Sequence, residues 1–134
     1  MTFVGSRGAD SELVVQAQSA VYQPDTGIAV LEVVRAHVAD ARGAESFQMS
    51  CDRAELDVET SDFTATGNVS GHTGQGQRYR ASWVRYERAA SMLSTDAPVT
   101  LIDARGTVRG DGFRYHIDEG RFELIGNVVM EQAL

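Results

Sequence analysis

Hydrophobic and polar positions alternate along most of this chain. Phe47, Met49 and Cys51 are separated by Gln48 and Ser50, and Leu56 and Val58 by Asp57. Phe63, Ala65, Gly67 and Val69 alternate with Thr64, Thr66 and Asn68; Phe113, Tyr115 and Ile117 alternate with Arg114 and His116. Phe122, Leu124, Gly126, Val128 and Met130 carry the pattern to the C-terminal end. A period of two sends one row of side chains inward and the other into water, which predicts half-buried antiparallel strands. No amphipathic helix is predicted; Ala39–Ala44 and Glu87–Leu93 offer at most one helical turn each.

Turn residues punctuate these rows at short intervals. Pro24-Asp25-Thr26-Gly27 suits a four-residue turn, since proline presets φ and glycine accepts a positive one. Asp111-Gly112 is a two-residue hairpin signal. Thr60-Ser61-Asp62, Arg88-Ala89-Ala90-Ser91 and Asp118-Glu119-Gly120-Arg121 read as further hairpin tips, and Gly71–Gln77 as the one long flexible loop. Roughly ten or more short strands follow, and a sheet of that size curls into a sandwich, a jelly roll or an open roll.

The rows also repeat. Ala17 and Tyr22 recur as Ala81 and Tyr86; Asp40-Ala41-Arg42-Gly43 recurs as Asp103-Ala104-Arg105-Gly106. Phe63-x-x-x-Gly67-Asn68-Val69 recurs as Phe122-x-x-x-Gly126-Asn127-Val128. The spacing is about sixty residues, and a unit that small stacks on its copy to close a core. Two similar halves are therefore expected, with Gly71–Gln77 between them. Residues 1–12 read as a flexible polar segment and 13–132 as a single domain.

Composition narrows the function by exclusion. The net charge of −7 over 134 residues disfavours nucleic acid as a partner. All twelve basic residues are arginine. The single cysteine, Cys51, sits in an alternating row and reads as a buried, inert thiol. His37, His72 and His116 lack partners at metal-ligand spacing apart from His116-x-Asp118, so no metal and no cofactor is expected. There is no Gly-x-Ser-x-Gly elbow, and Gly74-x-Gly76 lacks the strand-to-helix setting of a nucleotide loop. The carboxylates Asp52, Glu55, Asp57, Glu59 and Asp62 lie on polar rows or at tips, as a solvated face requires. The chain reads as a non-enzyme. Four arginines crowd residues 78–88, and Arg78 and Arg80 share one face as an anion-binding stripe.

Several of these strands resemble the LptC family, the periplasmic components of the lipopolysaccharide-export ABC transporter. The likeness rests on Ile28-Ala29-Val30-Leu31-Glu32 followed by Val34-Arg35-Ala36-His37-Val38, on the Ala-x-x-x-x-Tyr strands, on Gly112-Phe113-Arg114-Tyr115 and on Phe122–Val128. It covers about residues 13 to 130, and the related LptA/OstA proteins share the last type of strand. The resemblance implies an all-β, antiparallel fold-over β-jelly roll with a V-shaped section. It implies that lipid A acyl chains of lipopolysaccharide lie in an apolar groove and are handed across the periplasm toward the outer membrane. Inward positions assigned to that groove are Phe47, Met49, Phe63, Ala65, Val69, Tyr79, Trp83, Leu101, Phe113, Tyr115, Ile117, Phe122, Leu124 and Val128. The implied partners are an inner-membrane ABC transporter complex and an LptA-like protein joined by edge-strand pairing, with end-to-end self-association of the same kind. The implied location is the periplasm, anchored to the inner membrane by a segment outside this chain. A carbohydrate-binding β-sandwich and a purely structural β-assembly module are the alternatives. The sandwich expects a filled core with Trp83 or Tyr86 exposed.

Overall fold

The computed structural model describes residues 2–7, 11–40 and 45–132. It is all β, in chain order β1 Thr2–Arg7, β2 Ser11–Gln23, β3 Ile28–Asp40, β4 Glu45–Asp57, β5 Phe63–Thr73, β6 Arg78–Glu87, β7 Met92–Thr95, β8 Val99–Asp103, β9 Gly106–Gly110, β10 Gly112–His116, β11 Arg121–Ile125 and β12 Val129–Gln132. A single 3-10 turn spans Ile117–Glu119. All twelve strands belong to one antiparallel sheet.

Strands β2, β3 and β4 each run 13 residues. That is about 43 Å at 3.3 Å per residue, far beyond an ordinary strand. A flat sheet of such strands would leave one apolar face wet, so the sheet folds across its own strands. The crease is visible as a gap in each ladder between the long strands β2 to β6. Pairing jumps from Ala17↔Val34 to Ser19↔Glu32, from Ser50↔Ser70 to Arg53↔Thr66, and from Thr66↔Trp83 to Val69↔Ala81. Further along, the crease cuts the strand outright. β7 and β8 are separated by residues 96–98, β9 and β10 by Asp111, and β11 and β12 by residues 126–128.

Two leaves result. The first is built from β1, residues 11–17, 34–40, 45–51, 70–73 and 78–81, and β8, β9 and β12. The second holds residues 19–23, 28–32, 53–57, 63–66 and 83–87, and β7, β10 and β11. Their inner faces meet and form the core, giving the fold-over jelly roll.

The Gly-Asn pairs of the repeat are the crease chemistry. Gly67 and Asn68 have φ of 79° and 48°, and Gly126 and Asn127 have 73° and 44°. Left-handed backbone of this kind suits glycine and asparagine. Asn68 Nδ2 donates to Asp52 Oδ2 at 2.9 Å, and Asn127 Nδ2 donates to Asp111 Oδ2 at 2.7 Å. The same side-chain clamp therefore holds the crease twice. A finer period lies beneath the two halves. The buried order Ser61, Phe63, Ala65, Val69 is matched by Ser91, Leu93, Thr95, Val99, one hairpin later. Ser61 and Ser91 both sit at hairpin tips with positive φ, 66° and 49°.

The structure corrects several local expectations. Residues 2–7, expected in a flexible segment, pair with β2 as an edge strand. The long loop shortens, because β5 extends through Thr73 and only residues 74–77 turn. Asp111-Gly112 marks a crease rather than a hairpin, since Asp111 N–H donates to the carbonyls of Ile125 and Gly126, both at 2.9 Å. No helical turn forms at Glu87–Leu93, where β6 ends in a tight turn. The repeat copy at residues 41–43 and most of the helical alternative at Ala39–Ala44 lie outside the described residues.

Candidate functional site

The inner face of the first leaf carries a cross-strand row: Phe3, Val15, Ala36, Met49, Gly71, Tyr79, Leu101, Val108 and Met130 occupy successive paired positions from β1 to β12. Facing it, the second leaf carries Tyr22, Ala29, Leu56, Phe63, Tyr86, Leu93, Tyr115 and Phe122 in one row. Ala20, Leu31, Ala54, Ala65, Val84, Thr95, Phe113 and Leu124 run beside them. The β-pleat repeated over many strands makes one continuous apolar lining the length of the roll.

Aromatic rings bridge the leaves in the middle. Phe47 of the first leaf lies 5.6 Å from Tyr86 of the second, which lies 5.3 Å from Phe63. Tyr79 meets Phe113 at 5.8 Å and Phe122 at 6.4 Å. Phe122 also packs on Phe113 at 5.3 Å and stacks on Tyr115 at 4.4 Å. These tilted and stacked pairs fill the middle of the interior with the protein's own side chains. Gly71 makes room for the largest of them. A Cβ there would collide with the Gln48 carbonyl oxygen and lie 2.6 Å from the Tyr79 hydroxyl. That hydroxyl, wholly buried, reaches the same carbonyl at 3.4 Å. Burial raises the Tyr79 pKa, so the ring stays neutral.

A polar bond crosses between the leaves. Tyr115 of the second leaf shares a side-chain hydrogen bond with Thr73 of the first. Burial raises the Tyr115 pKa, and this bond opposes the shift. Thr73 is itself buried and donates to Gln77 Oε1 at 3.2 Å.

The lining is uncovered at its ends. On β12, Met130 is 77 % exposed although its row faces inward, and Val129 beside it is 51 % exposed. Val108, Phe122 and Leu124 are half-buried. A cavity of about 540 Å³ opens beside β12, lined in part by Val108, Met130, Gly106 and Gln132. At the other end Tyr22 is 52 % exposed and Ala20 is also exposed.

The positions assigned from sequence divide accordingly. Phe47, Met49, Phe63, Ala65, Val69, Tyr79, Leu101, Phe113 and Tyr115 lie in the closed core. Ile117, Phe122 and Leu124 pack against it, half-buried. Val128 sits in the last crease and is exposed. Trp83 is a correction: it pairs with Thr66 on the outer side and is half-exposed, because at the crease Gly67 and Asn68 of β5 stand opposite Ser82 alone, which flips the parity of β6. Val84 and Tyr86 take the inward places instead. Sequence reasoning missed Val108, Met130, Leu31, Leu56, Val84 and Leu93 as lining residues. Met130 was detectable, since it continues the alternation from Phe122.

Chemistry-bearing residues lie outside this lining or are inert. Cys51 is buried, and burial first, then Asp52, raises its pKa to about 11. His116 Nε2 lies 2.9 Å from Glu123 Oε1 rather than against Asp118. Among the described residues no three of His, Cys, Asp and Glu converge as a metal site, and no helix is long and apolar enough to cross a membrane.

Comparison with known proteins agrees with this geometry. The family model for LptC-related lipopolysaccharide-assembly proteins matches residues 9–131. No curated protein sequence gives a significant match. Among solved structures, the chain is similar to LptH, the LptA-homologous periplasmic component of the lipopolysaccharide transport device of Pseudomonas aeruginosa. The TM-score is 0.71 and the identity 14 %, over 89 % of this chain and 93 % of that one.

Proposed function

Because the chain belongs to the LptC family of lipopolysaccharide-assembly proteins, and so has a role in lipopolysaccharide transport, we propose that it holds the acyl chains of lipopolysaccharide between its two leaves. The reading is that of a periplasmic carrier and not a catalyst. One observation carries it: the apolar lining is continuous from β1 to β12, packed shut in the middle and uncovered at Met130, Val108 and Leu124. An acyl chain would first meet the β12 end, then displace the aromatic contacts as the leaves part. Only the Tyr115–Thr73 bond and side-chain packing oppose that parting among the interactions described above, so the barrier is one of desolvated apolar contact.

Among the described residues β12 pairs only with β9, so its outer edge offers backbone groups for β-augmentation. An LptA-like partner or a second copy would extend the lining there, and the inner-membrane transporter would supply energy from the other end. The sandwich alternative gains one point, the filled middle. It keeps a half-exposed Trp83 on the outer face, while Tyr86 is buried; what weighs against it is the family match.

The test uses Met130→Asp. Its side chain is largely in water, so the variant folds, and it places a charge at the mouth of the lining. The account predicts that lipopolysaccharide binding drops at least tenfold while the melting temperature stays within a degree or two of wild type. Unchanged binding would remove the β12 end from the path.

A further inference from the structure

The outer faces of the two leaves differ in charge. On the second leaf, acids and bases neutralise each other. Arg121 bonds Glu119 at 2.9 Å and Glu123 at 3.1 Å, Glu123 also meets His116 at 2.9 Å, and Arg85 lies 4.0 Å from Asp62 and 3.6 Å from Glu87. The first leaf is basic in its middle. One outer row runs Gln16, Arg35, Ser50, Ser70, Arg80, Thr100, Arg109; the next runs Val14, His37, Gln48, His72, Arg78, Ile102, Thr107. Among the described residues of these rows the one carboxylate is Glu131 at the β12 edge, already bonded to Arg109 at 2.8 Å. Among the described residues, Arg35, Arg78 and Arg80 form no ion pair. In a chain of net charge −7, this is a local reversal of sign.

The shape matches the charge. A cavity of about 450 Å³ opens at this face, lined among others by Ser50, Ser70, Arg78 and Arg80, with the inward Met49 and Tyr79 also reaching it. Arg78 and Arg80 stand two residues apart on one strand, about 7 Å, on the same side of the sheet. Guanidinium forks bind tetrahedral oxyanions bidentately, and serine hydroxyls add donors without adding negative charge. Arg35 lies three strands away in the Arg80 row, about 14 Å, close enough to add attraction but not contact.

We propose that this trough binds a phosphate monoester through Arg78 and Arg80, with Ser50 and Ser70 as hydroxyl donors. A monoester carries nearly two charges at neutral pH and three free oxygens, matching two forks and two hydroxyls. The source is either free phosphate or the headgroup of a membrane lipid, and the same chemistry serves both. The proposed ligands Arg78, Arg80, Ser50 and Ser70 lie on the outer row and not in the lining, so failure of this site leaves the acyl-chain reading standing, and the reverse holds.

The experiment measures binding of inorganic phosphate by calorimetry, and of phosphatidylcholine vesicles with and without phosphatidic acid by flotation. Binding of both phosphate and phosphatidic acid vesicles supports a site for the free ion; binding of the vesicles alone supports a lipid headgroup. In either case Arg78→Gln/Arg80→Gln lowers affinity at least tenfold. Ser70→Glu, which puts a carboxylate in the trough, does the same. Arg121→Gln on the second leaf changes affinity less than twofold. The proposal is overturned if neither ligand binds, or if the double variant, folded by circular dichroism, binds as wild type does.

Discussion

The middle of the interior and its β12 end are both built from inward-facing apolar residues, yet they behave as different materials. Around Phe47, Phe63 and Tyr86 both leaves are complete, and every ring is covered by a ring from the facing leaf or a neighbouring strand. Around Val108, Leu124 and Met130 the strands run out: Val108 and Leu124 are half-buried and Met130 stands in water. The difference shows that closure comes from having neighbours on both sides and not from the residues themselves. A further strand laid against β12 would continue the closed middle outward.

Substitutions should grade along that comparison. Phe47→Ala removes a fully buried ring that contacts Tyr86 across the leaves; the expected loss is about 3–5 kcal/mol, read by urea denaturation. A loss below about 1 kcal/mol would mean that the middle is loosely packed. Gly71→Ala pushes a methyl group against the Gln48 carbonyl and the Tyr79 hydroxyl. It should cost about 1–3 kcal/mol, as overpacking does. Tyr115→Phe deletes the Thr73 bond between leaves. A cost of about 0.5–1.5 kcal/mol is expected, together with faster amide exchange in the second leaf near β10.

Cys51 gives the smallest and cleanest signal. Its thiol is pushed from its usual 9.0 up to about 11, first by burial. At pH 8 the folded protein should therefore resist alkylation that the urea-unfolded chain undergoes readily. The sign for stability follows. The native state keeps the proton that the unfolded chain gives up, so this contribution is whole below pH 9 and fades as pH rises toward 11. Rapid alkylation of the native protein at pH 8 would show that the crease near Cys51 opens.

Most of the strands, their inward parity and the hairpin tips were legible because a period of two and turn residues are local signals. The crease was not. The motif Gly67-Asn68 reads locally as unbroken alternation, and its meaning as a crease depends on Asp52, sixteen residues from Asn68. The same non-local event flipped Trp83 outward, so its fluorescence reports on the outer face and not on the lining. The paired arginines of β6 were visible in sequence, but the trough beside them needed Ser50 and Ser70 from two neighbouring strands. The open β12 end was hidden for a similar reason, since exposure there reflects missing neighbours rather than residue type.

The central claim, that acyl chains enter the lining at the β12 end, is tested most directly by site-specific photocrosslinking. A photoreactive residue is placed in turn at Met130, Leu124 and Phe63 on the inner face, and at Thr64 and Trp83 on the outer face, with lipopolysaccharide added to each folded variant. The account predicts strong crosslinks at Met130 and Leu124, weaker ones at Phe63 where the leaves must part, and none above background at Thr64 or Trp83. Equal crosslinking from both faces, or none from Met130 and Leu124, would contradict it.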